Sequence, residues 1–409
     1  MRAMPMGEHK PVRRAPSGLA LAGGGPLGSI YEVGALVALD EALCGLRLND
    51  CDVFVGVSSG AFFASGLANG LSPREMHSRF IETTAHDDPF EPEVLLKLAL
   101  REYGKRIASL PALFASALAD YLRGNSKQRA IESFQRLSKA LPNGIFDSTP
   151  IRRYLQRLAA TPGLTDDFRE LKRKLFIIAT DLDTSSLVTF GAPGFDHVPI
   201  SKAVEASAAL PGYFPPVKID GRHYVDGALL KTLHASAALK EGVKLLFAIN
   251  PLVPYKAELQ LPETEAKSLA EDGLVMVLSQ TFRSLIYSRM KVGMERYRHQ
   301  YPDADIVLFE PRRDDREMFF TNVFSYADRR RLCEHAYQQT REDLLRRAAS
   351  LKPVLARHGL SLDEAVLRDK SRTLMQRDEE APRLQTILQD LSDTLGRLEP
   401  ILHAKEKPA

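Results

Sequence analysis

Two glycine-rich turns near the N-terminus constrain the fold of this chain more than any other feature. The first, Gly23-Gly24-Gly25-Pro26-Leu27-Gly28, follows the apolar run at residues 18–22, and the second, Gly56-Val57-Ser58-Ser59-Gly60, follows the apolar run at residues 52–57. After each turn comes a segment rich in apolar or small residues with the spacing of a helix. Strand, tight turn and helix, repeated in this order, are typical of a sheet whose strands run parallel.

Later apolar runs extend this pattern. Strands are predicted at residues 175–180, 187–190, 244–250 and 306–309. Because these runs are apolar almost without interruption, they suit strands that are buried on both faces. The sequence therefore predicts an α/β fold in which helices cover both faces of a mainly parallel sheet.

Helical patterns fill most of the remaining chain. Residues from about 72 to 160 are predicted to form a helical insertion, and only helical patterns are found from residue 311 onwards. Residues 1–17 contain basic residues but no apolar segment of the kind that signal peptides carry, so they are interpreted as a flexible leader.

Composition limits the classes of protein to which this chain can belong. With 409 residues, 44% of them hydrophobic, the chain can bury a large core. Its formal charge of +3 is too small to indicate a nucleic-acid partner, although it is compatible with contact at an anionic membrane surface. The three cysteines lack disulfide or metal-ligand spacing, and no apolar run reaches the roughly eighteen residues of a membrane-spanning helix. We expect a cytoplasmic protein whose contact with the inner membrane surface, where there is any, is peripheral.

The second turn carries the strongest signal for chemistry. It is a GxSxG pattern between a strand and a helix, which is the context of a nucleophile elbow. Glycines on both sides, Gly56 and Gly60, permit a crowded turn that exposes Ser58 at the head of the following helix. Amides at a helix N-terminus favour the negative charge that develops during acyl transfer. Ser58 is therefore the candidate nucleophile.

The first turn admits two interpretations. Residues 23–28 match the GxGxxG pattern of a dinucleotide site, but such a site expects an acidic residue at the end of the second strand to bind a ribose. That strand ends in Gly56-Val57-Ser58 instead. An oxyanion hole formed by the amides of Gly23, Gly24, Gly25 and Gly28 explains both turns together, and this is the favoured interpretation.

A carboxylate is the third candidate. Asp226 follows the apolar pair Tyr224-Val225 and precedes Gly227-Ala228, which alone would indicate an ordinary turn. A serine nucleophile needs a histidine or a carboxylate within hydrogen-bond reach to accept its proton. Asp226 is the carboxylate best flanked by glycine, so it is the candidate for this task.

In combination these motifs resemble those of the patatin-like phospholipases, lipid acyl hydrolases that use a Ser-Asp dyad. The resemblance covers roughly residues 18–310 and includes two further blocks, Ala179-Thr180-Asp181-Leu182 and the segment 206–216. It implies that Ser58 is the nucleophile, that Asp226 acts as general base and then as general acid, and that amides around Gly24 and Gly25 bind the oxyanion.

The same resemblance implies the rest of the architecture. The expected fold is a three-layer α/β/α sandwich with a catalytic domain at 18–310 and a helical C-terminal extension at 311–409. The implied substrate is a lipid or another ester, and neither a cofactor nor a metal is expected. Self-association of the chain stays open.

One position departs from the family pattern. Many members carry Arg or Lys just before the last glycine of the first motif, where this chain has Leu27. Backbone amides need no side chain to bind an oxyanion. The missing cation instead leaves the headgroup open, with neutral esters and lysophospholipids among the candidates.

Two segments combine basic with apolar residues, at 95–122 and 274–297. Each is interpreted either as an amphipathic surface for lipid or as a helix that packs on the core, with packing favoured. A further hypothesis makes residues 90–125 a lid over a lipid pocket, because they lie between the elbow and the next predicted strand.

Two rival functions stay open. One is a catalytically weak lipid- or granule-binding protein whose helical tail binds partners. The other is a Ser-His-Asp esterase, which needs a histidine late in the chain. The candidates are His234, His299, His335, His358 and His403. None has the setting of a catalytic loop, and most are interpreted as solvated helix residues. Asp181 and Asp183 are interpreted as turn-capping residues rather than metal ligands.

Overall fold

The computed structural model describes residues 15–82, 144–256, 269–320 and 326–375. The first fourteen residues of the predicted leader, most of the predicted insertion, the segment 95–122, the hypothetical lid and the end of the C-terminal extension lie outside these described residues.

Eight of the described strands form one sheet. They are β1 (Ser17–Leu21), β3 (Val53–Val57), β4 (Lys174–Asp181), β5 (Ser186–Phe190), β6 (Val217–Ile219), β7 (Arg222–Asp226), β8 (Leu245–Ile249) and β9 (Asp305–Phe309). Across the sheet the order is β6-β7-β4-β3-β1-β8-β9, and β5 also pairs with β4. The neighbours β4, β3, β1, β8 and β9 run parallel, which confirms the prediction of a mainly parallel sheet.

Two strands run against this direction. β5 and β7 are antiparallel to β4, whereas β6 is antiparallel to β7 and therefore has the direction of the parallel strands. The apolar pattern does not predict β6 or β7, because polar residues such as Arg222 and His223 interrupt it. The turn between them is Asp220-Gly221, and both residues have positive φ. An Asp-Gly pair of this kind is a strong hairpin signal.

The described helices surround the sheet. They are α1 (Gly25–Ala42), α2 (Ser59–Ala68), α3 (Pro73–His77), α4 (Thr149–Ala159), α5 (Ile200–Ser207), α6 (Ala235–Lys240), α7 (Leu274–Gln300), α8 (Arg316–Phe320), α9 (Tyr326–Arg346), α10 (Ala348–Arg357) and α11 (Glu364–Arg368). Within the described ranges no helix is both long and apolar enough to cross a bilayer.

Both faces of the sheet are covered. On one face, strand residues such as Val55 and Ile178 pack with apolar residues of α6 and α7. Their chain neighbours Phe54 and Ile177 are buried as well. Since successive side chains of a strand point to opposite faces, the second face is also shielded from solvent. The fold is the three-layer α/β/α sandwich implied by the sequence.

The described C-terminal helices belong to the same compact unit as the sheet, which extends to Ser371. α9 packs closely on α1. At Gly34 of α1 there is no room for a side chain, since a methyl group added there would lie 2.4 Å from the carbonyl oxygen of Cys333 in α9. A short strand, β10 (Ser361–Leu362), pairs with β2 (Leu43–Cys44) at the end of α1. The predicted boundary at residue 311 therefore falls inside this unit, and the prediction of purely helical structure beyond it is wrong at β10. At the other end, β1 begins at Ser17, the last residue of the predicted leader.

Candidate active site

Three chain segments meet at the carboxyl edge of the parallel strands. β1 and β3 are parallel neighbours, so the first glycine turn and Ser58, which follow these strands, lie side by side. Asp226 arrives on the antiparallel strand β7. It pairs with Ala179 of β4, next to the residue of β4 that pairs with Val57. This register brings Asp226 beside Ser58.

Ser58 has an unusual backbone conformation, with φ 53° and ψ −123°. Side chains are rarely tolerated at such angles, and strain of this kind is concentrated at functional sites. A methyl group at Gly60 would lie 2.4 Å from the carbonyl oxygen of Leu21, and one at Gly56 would lie 2.4 Å from Cα of Ala61. Neither position has room for a side chain, which explains the glycines on both sides of the serine.

The side chains of Ser58 and Asp226 are joined by a hydrogen bond. Ser58 Oγ donates to Asp226 Oδ2 at 2.6 Å, and both residues are buried. The other carboxylate oxygen, Oδ1, accepts from the amide of Ala228 at 2.8 Å. The backbone amide of Asp226 donates to the carbonyl of Ala209 at 3.0 Å. Asp226 is thus fixed from both sides in a position to accept the serine proton.

Burial raises the pKa of Asp226 from its ordinary 3.8 to about 6, while the hydrogen bonds from Ser58 and from the Ala228 amide act in the opposite direction. A carboxyl group with this pKa is a better base than an ordinary aspartate and is still ionised at neutral pH. Asp226 is therefore mainly deprotonated at neutral pH, as an acceptor for the Ser58 proton has to be.

Ser207 holds the turn that carries Ser58. The Ser58 amide donates to Ser207 Oγ at 2.8 Å, and Ser207 Oγ donates to the carbonyl of Ile178 at 2.5 Å. Ser207 is the last residue of α5 and is fully buried. Because the Ser58 amide is engaged in this bond, an oxyanion has to be bound by other amides. Ser207 has no role predicted from the sequence, although it lies in the block at 206–216.

The amides at the start of α1 are suited to bind an anion. Gly24 is the N-cap of α1 and Gly25 is its first residue. Amides in a first helical turn have no acceptor within the helix, and the first turn of α1 contains no acidic residue that would neutralise the positive end of its dipole. A methyl group at Gly23 would lie 2.9 Å from Cβ of Ser58, so this loop passes directly against the serine.

The other glycines of the three motifs make close contacts too. Methyl groups at Gly24 and Gly28 would lie 2.6 Å and 2.9 Å from Cγ of Pro251, and one at Gly227 would lie 2.4 Å from a carbonyl oxygen of β4. Gly25 differs from these, because it faces open space and has a φ of +61°. Gly25 is also exposed to solvent.

No described histidine hydrogen-bonds to Ser58 or Asp226. His335 and His358 are paired with aspartates at 2.6 Å and 2.8 Å, and burial lowers the pKa of His234 to about 3. Of the described late histidines, only His299 is a largely exposed helix residue, which corrects the interpretation of most of them as solvated. His403 lies outside the described residues.

Asp181 caps the turn after β4. Its carboxylate accepts from the amides of Asp183 and Thr184 at 3.0 Å and 3.1 Å and pairs with Arg222 at 2.7 Å. The turn-capping interpretation is therefore confirmed for Asp181. In the part of the chain that the structure describes, no three His, Cys, Asp or Glu side chains come together in a way that would hold a metal ion.

Several solved structures are similar to this chain. VipD from Legionella pneumophila is 17% identical, with a TM-score of 0.37 over 80% of this chain and 66% of VipD. The type III effector protein ExoU is 18% identical, with a TM-score of 0.35 over 81% of this chain and 53% of ExoU. ExoU in complex with SpcU, from the type III secretion system of Pseudomonas aeruginosa, is 17% identical, with a TM-score of 0.28 over 69% of this chain and 53% of that chain. This chain therefore spans about half to two thirds of the proteins that it matches.

The family comparison covers the segment that carries the described site. The family model for patatin-like phospholipase matches residues 19–239, which is more than half of the chain and includes both glycine turns and Asp226. This chain belongs to the patatin-like phospholipase family.

Proposed function

We propose that this chain hydrolyses carboxylic esters of lipids through an acyl-serine intermediate on Ser58, with Asp226 as the only side chain that exchanges its proton. The observation that carries the proposal is the 2.6 Å hydrogen bond between Ser58 Oγ and Asp226 Oδ2 at a strained turn. Membership of the family supports the substrate class, since lipid esters are what its name describes.

The reaction would take two half-steps. Ser58 Oγ attacks the ester carbonyl while Asp226 takes its proton, and the oxyanion that forms is held by the amides of Gly24 and Gly25. Asp226 then protonates the departing alcohol, which leaves an acyl group on Ser58. A water molecule gives a proton to Asp226 and attacks the acyl-serine, after which the acid departs and Asp226 returns the proton to Ser58.

The amides should contribute nearly as much to turnover as the dyad. Removing one preorganised oxyanion donor costs about a hundredfold to a thousandfold in turnover. Because these donors belong to the backbone, Leu27 does not impair them. The half-buried Leu27 supplies no cation to the first turn of α1, which favours substrates without a phosphate at this place.

Two substitutions and one chemical probe test the proposal. Ser58→Ala and Asp226→Asn are each expected to lower ester hydrolysis by about a thousandfold or more while the fold is retained. A fluorophosphonate should label Ser58 in the unmodified protein and fail to label Ser58→Ala. Circular dichroism checks folding of both variants.

The same experiment separates the rival functions. Well-folded protein that the probe does not label would favour a binding protein without turnover. Loss of labelling after replacement of a late histidine such as His335 would favour a triad esterase. Normal turnover by Asp226→Asn would defeat the dyad assignment.

A further inference from the structure

Helix α7 (Leu274–Gln300) has a buried face and an exposed face of different character. It is 27 residues long, which corresponds to about 40 Å. On the inner face Met290, Met294 and Tyr297 are buried in the core that α6 and the sheet share. The inner face explains why the helix packs on the protein. It does not account for the residues on the outer face.

The inner face lies against the segment that follows Asp226. Arg289 Nη1 donates to the carbonyl of Leu229 at 3.3 Å, and a small cavity of about 50 Å³ is lined by α7 and residues 228–233. Leu229 is three residues beyond Asp226. The outer face of α7 is therefore separated from the segment next to the candidate active site by one helix diameter, about 10 Å.

The first half of the outer face is apolar. Of the eleven large hydrophobic residues that are exposed in the described part of the chain, five belong to this helix. They are Val277, Leu278, Phe282 and Leu285 in the first half and Val292 in the second. The intervals from Leu278 to Phe282 and from Phe282 to Leu285 are four and three residues, so these side chains share one face. Phe282 and Leu285 are more than half exposed, at 53% and 58%. A continuous exposed apolar stripe of this kind marks an interaction site.

The second half of the outer face is basic. Three exposed cations lie in it against one exposed carboxylate, that of Glu295. The cations are Lys291, Arg296 and Arg298. Glu295 is paired with Arg298 at 3.0 Å, which leaves Lys291 and Arg296 with no acidic partner among the residues of α7. The face as a whole carries an apolar stripe followed by an excess of positive charge.

We propose that the outer face of α7 docks on an anionic lipid surface. Phe282 and Leu285 enter the boundary between headgroups and acyl chains, and Lys291 and Arg296 lie on the phosphates of anionic lipids. Apolar residues combined with Lys and Arg are the composition of helices that lie in a membrane interface. The inference rests on the proposed function, because docking would bring a lipid hydrolase to its substrate.

A second copy of the chain fits this face less well. Antiparallel pairing of two α7 helices along their length would set the basic half of each against the apolar half of the other. Parallel pairing would bring the two basic halves together, where like charges repel. A membrane that offers both an apolar layer and negative charge satisfies both halves at once.

The test is vesicle binding by the full chain with Ser58→Ala, so that no lipid is consumed. Co-sedimentation is measured with vesicles of phosphatidylcholine alone and of phosphatidylcholine with phosphatidylglycerol. Adding Phe282→Ser with Leu285→Ser should weaken binding to both vesicles by about tenfold or more. Adding Lys291→Gln with Arg296→Gln should weaken binding to the anionic vesicle by about fivefold per charge and leave the neutral vesicle unaffected.

Matched controls remove the same groups from other elements. Lys172→Gln with Lys218→Gln removes two exposed charges from positions outside α7, and Leu182→Ser removes an exposed apolar side chain. Both controls should bind like the parent chain. Three results would overturn the inference. They are an equal loss of vesicle binding in the charge control, equal binding of the parent chain to both vesicles, and a dimer in sedimentation that Phe282→Ser abolishes.

Failure of the docking inference can be distinguished from failure of the proposed function. Hydrolysis of a soluble short-chain ester is measured on the chain with Ser58 intact. An active esterase that does not bind vesicles defeats the docking inference alone, and a chain that binds vesicles but cleaves no ester defeats the proposed function alone.

Discussion

Among the described residues, Asp226 is the titratable group that hydrogen-bonds to Ser58, so its ionisation should set the pH dependence of activity. Burial raises its pKa to about 6, and only the deprotonated carboxylate can accept the serine proton. We predict that kcat/KM rises with pH through about 6 and is level above about 7. The measurement is the initial rate on a soluble ester between about pH 3.5 and 8. A fall in rate that begins only near pH 4 would contradict the assignment.

The stability of the fold should move in the opposite direction with pH. A carboxyl group whose pKa is higher in the folded state than its ordinary 3.8 binds its proton more tightly when folded. The protonated carboxyl group therefore contributes about 3 kcal/mol to the free energy of unfolding. This contribution is fully present below about pH 4 and is lost as the pH rises through about 6. Asp226→Asn removes this loss, so the variant should gain stability relative to the parent between pH 4 and 7. Denaturant unfolding at both pH values measures the difference.

The contacts of Ser207 indicate that it positions Ser58. Ser207→Ala leaves the buried amide of Ser58 without an acceptor, which should displace the serine and lower kcat by about tenfold to a hundredfold with little change in KM. Ser201→Ala is the matched control, because Ser201 is a fully buried serine on the same helix that bonds to Asp166 instead. A purely structural role for Ser207 would leave fluorophosphonate labelling of the two variants equally fast.

At the scale of elements, α5 lies between the Asp166 carboxylate, which caps its first turn, and the candidate active site at its last residue. The carboxylate of Asp166 accepts from the amide and the hydroxyl of Ser201 at 2.6 Å and 2.7 Å, while Ser207 at the other end of the helix holds the Ser58 amide. We predict that Asp166→Ala lowers the free energy of unfolding by about 1–2 kcal/mol, as lost helix caps do. Turnover below the melting temperature should change little, because the contact of Ser207 with Ser58 remains.

Asp166→Asn provides the control for this cap. An amide oxygen can still accept from the Ser201 amide, so this variant should lose less stability than Asp166→Ala. Denaturant unfolding compares the two. If Asp166→Asn loses as much stability as Asp166→Ala, the carboxylate acts through its charge rather than as a cap.

The elements differ in how well the sequence predicts them. The parallel strands and both glycine turns follow from local patterns, since apolar runs and glycines are local signals. β7 does not, because its register depends on β4, and that register is what brings Asp226 next to Ser58. Hydrogen bonds that join Ser58 to residues 149 and 168 positions away are set by the packed sheet, so Ser207 could not be predicted from spacing alone.

At the scale of the whole molecule, the C-terminal helices appear in the sequence as an extension and in the structure as part of the sandwich. The amphipathic pattern of α9 predicts a helix, but it does not say which surface that helix covers. The close contact at Gly34 and the pairing of β10 with β2 arise only when distant segments pack together. Domain boundaries are therefore less predictable here than the motifs.

This arrangement leads to a prediction about truncation. A chain that ends at residue 310 lacks α9, whose residues Leu332, Ala336, Tyr337 and Leu344 are buried. Removing it exposes the facing surface of α1, the helix whose first turn carries the proposed oxyanion amides. Each large apolar side chain contributes about 1.5–3 kcal/mol by burial, and folded domains have only about 5–15 kcal/mol of stability in total. The truncated chain should therefore lose cooperative thermal unfolding and ester hydrolysis together, whereas a chain that ends at Ser371 should keep both. Cooperative unfolding of the shorter chain at the temperature of the longer one would mean that the sandwich is complete without α9.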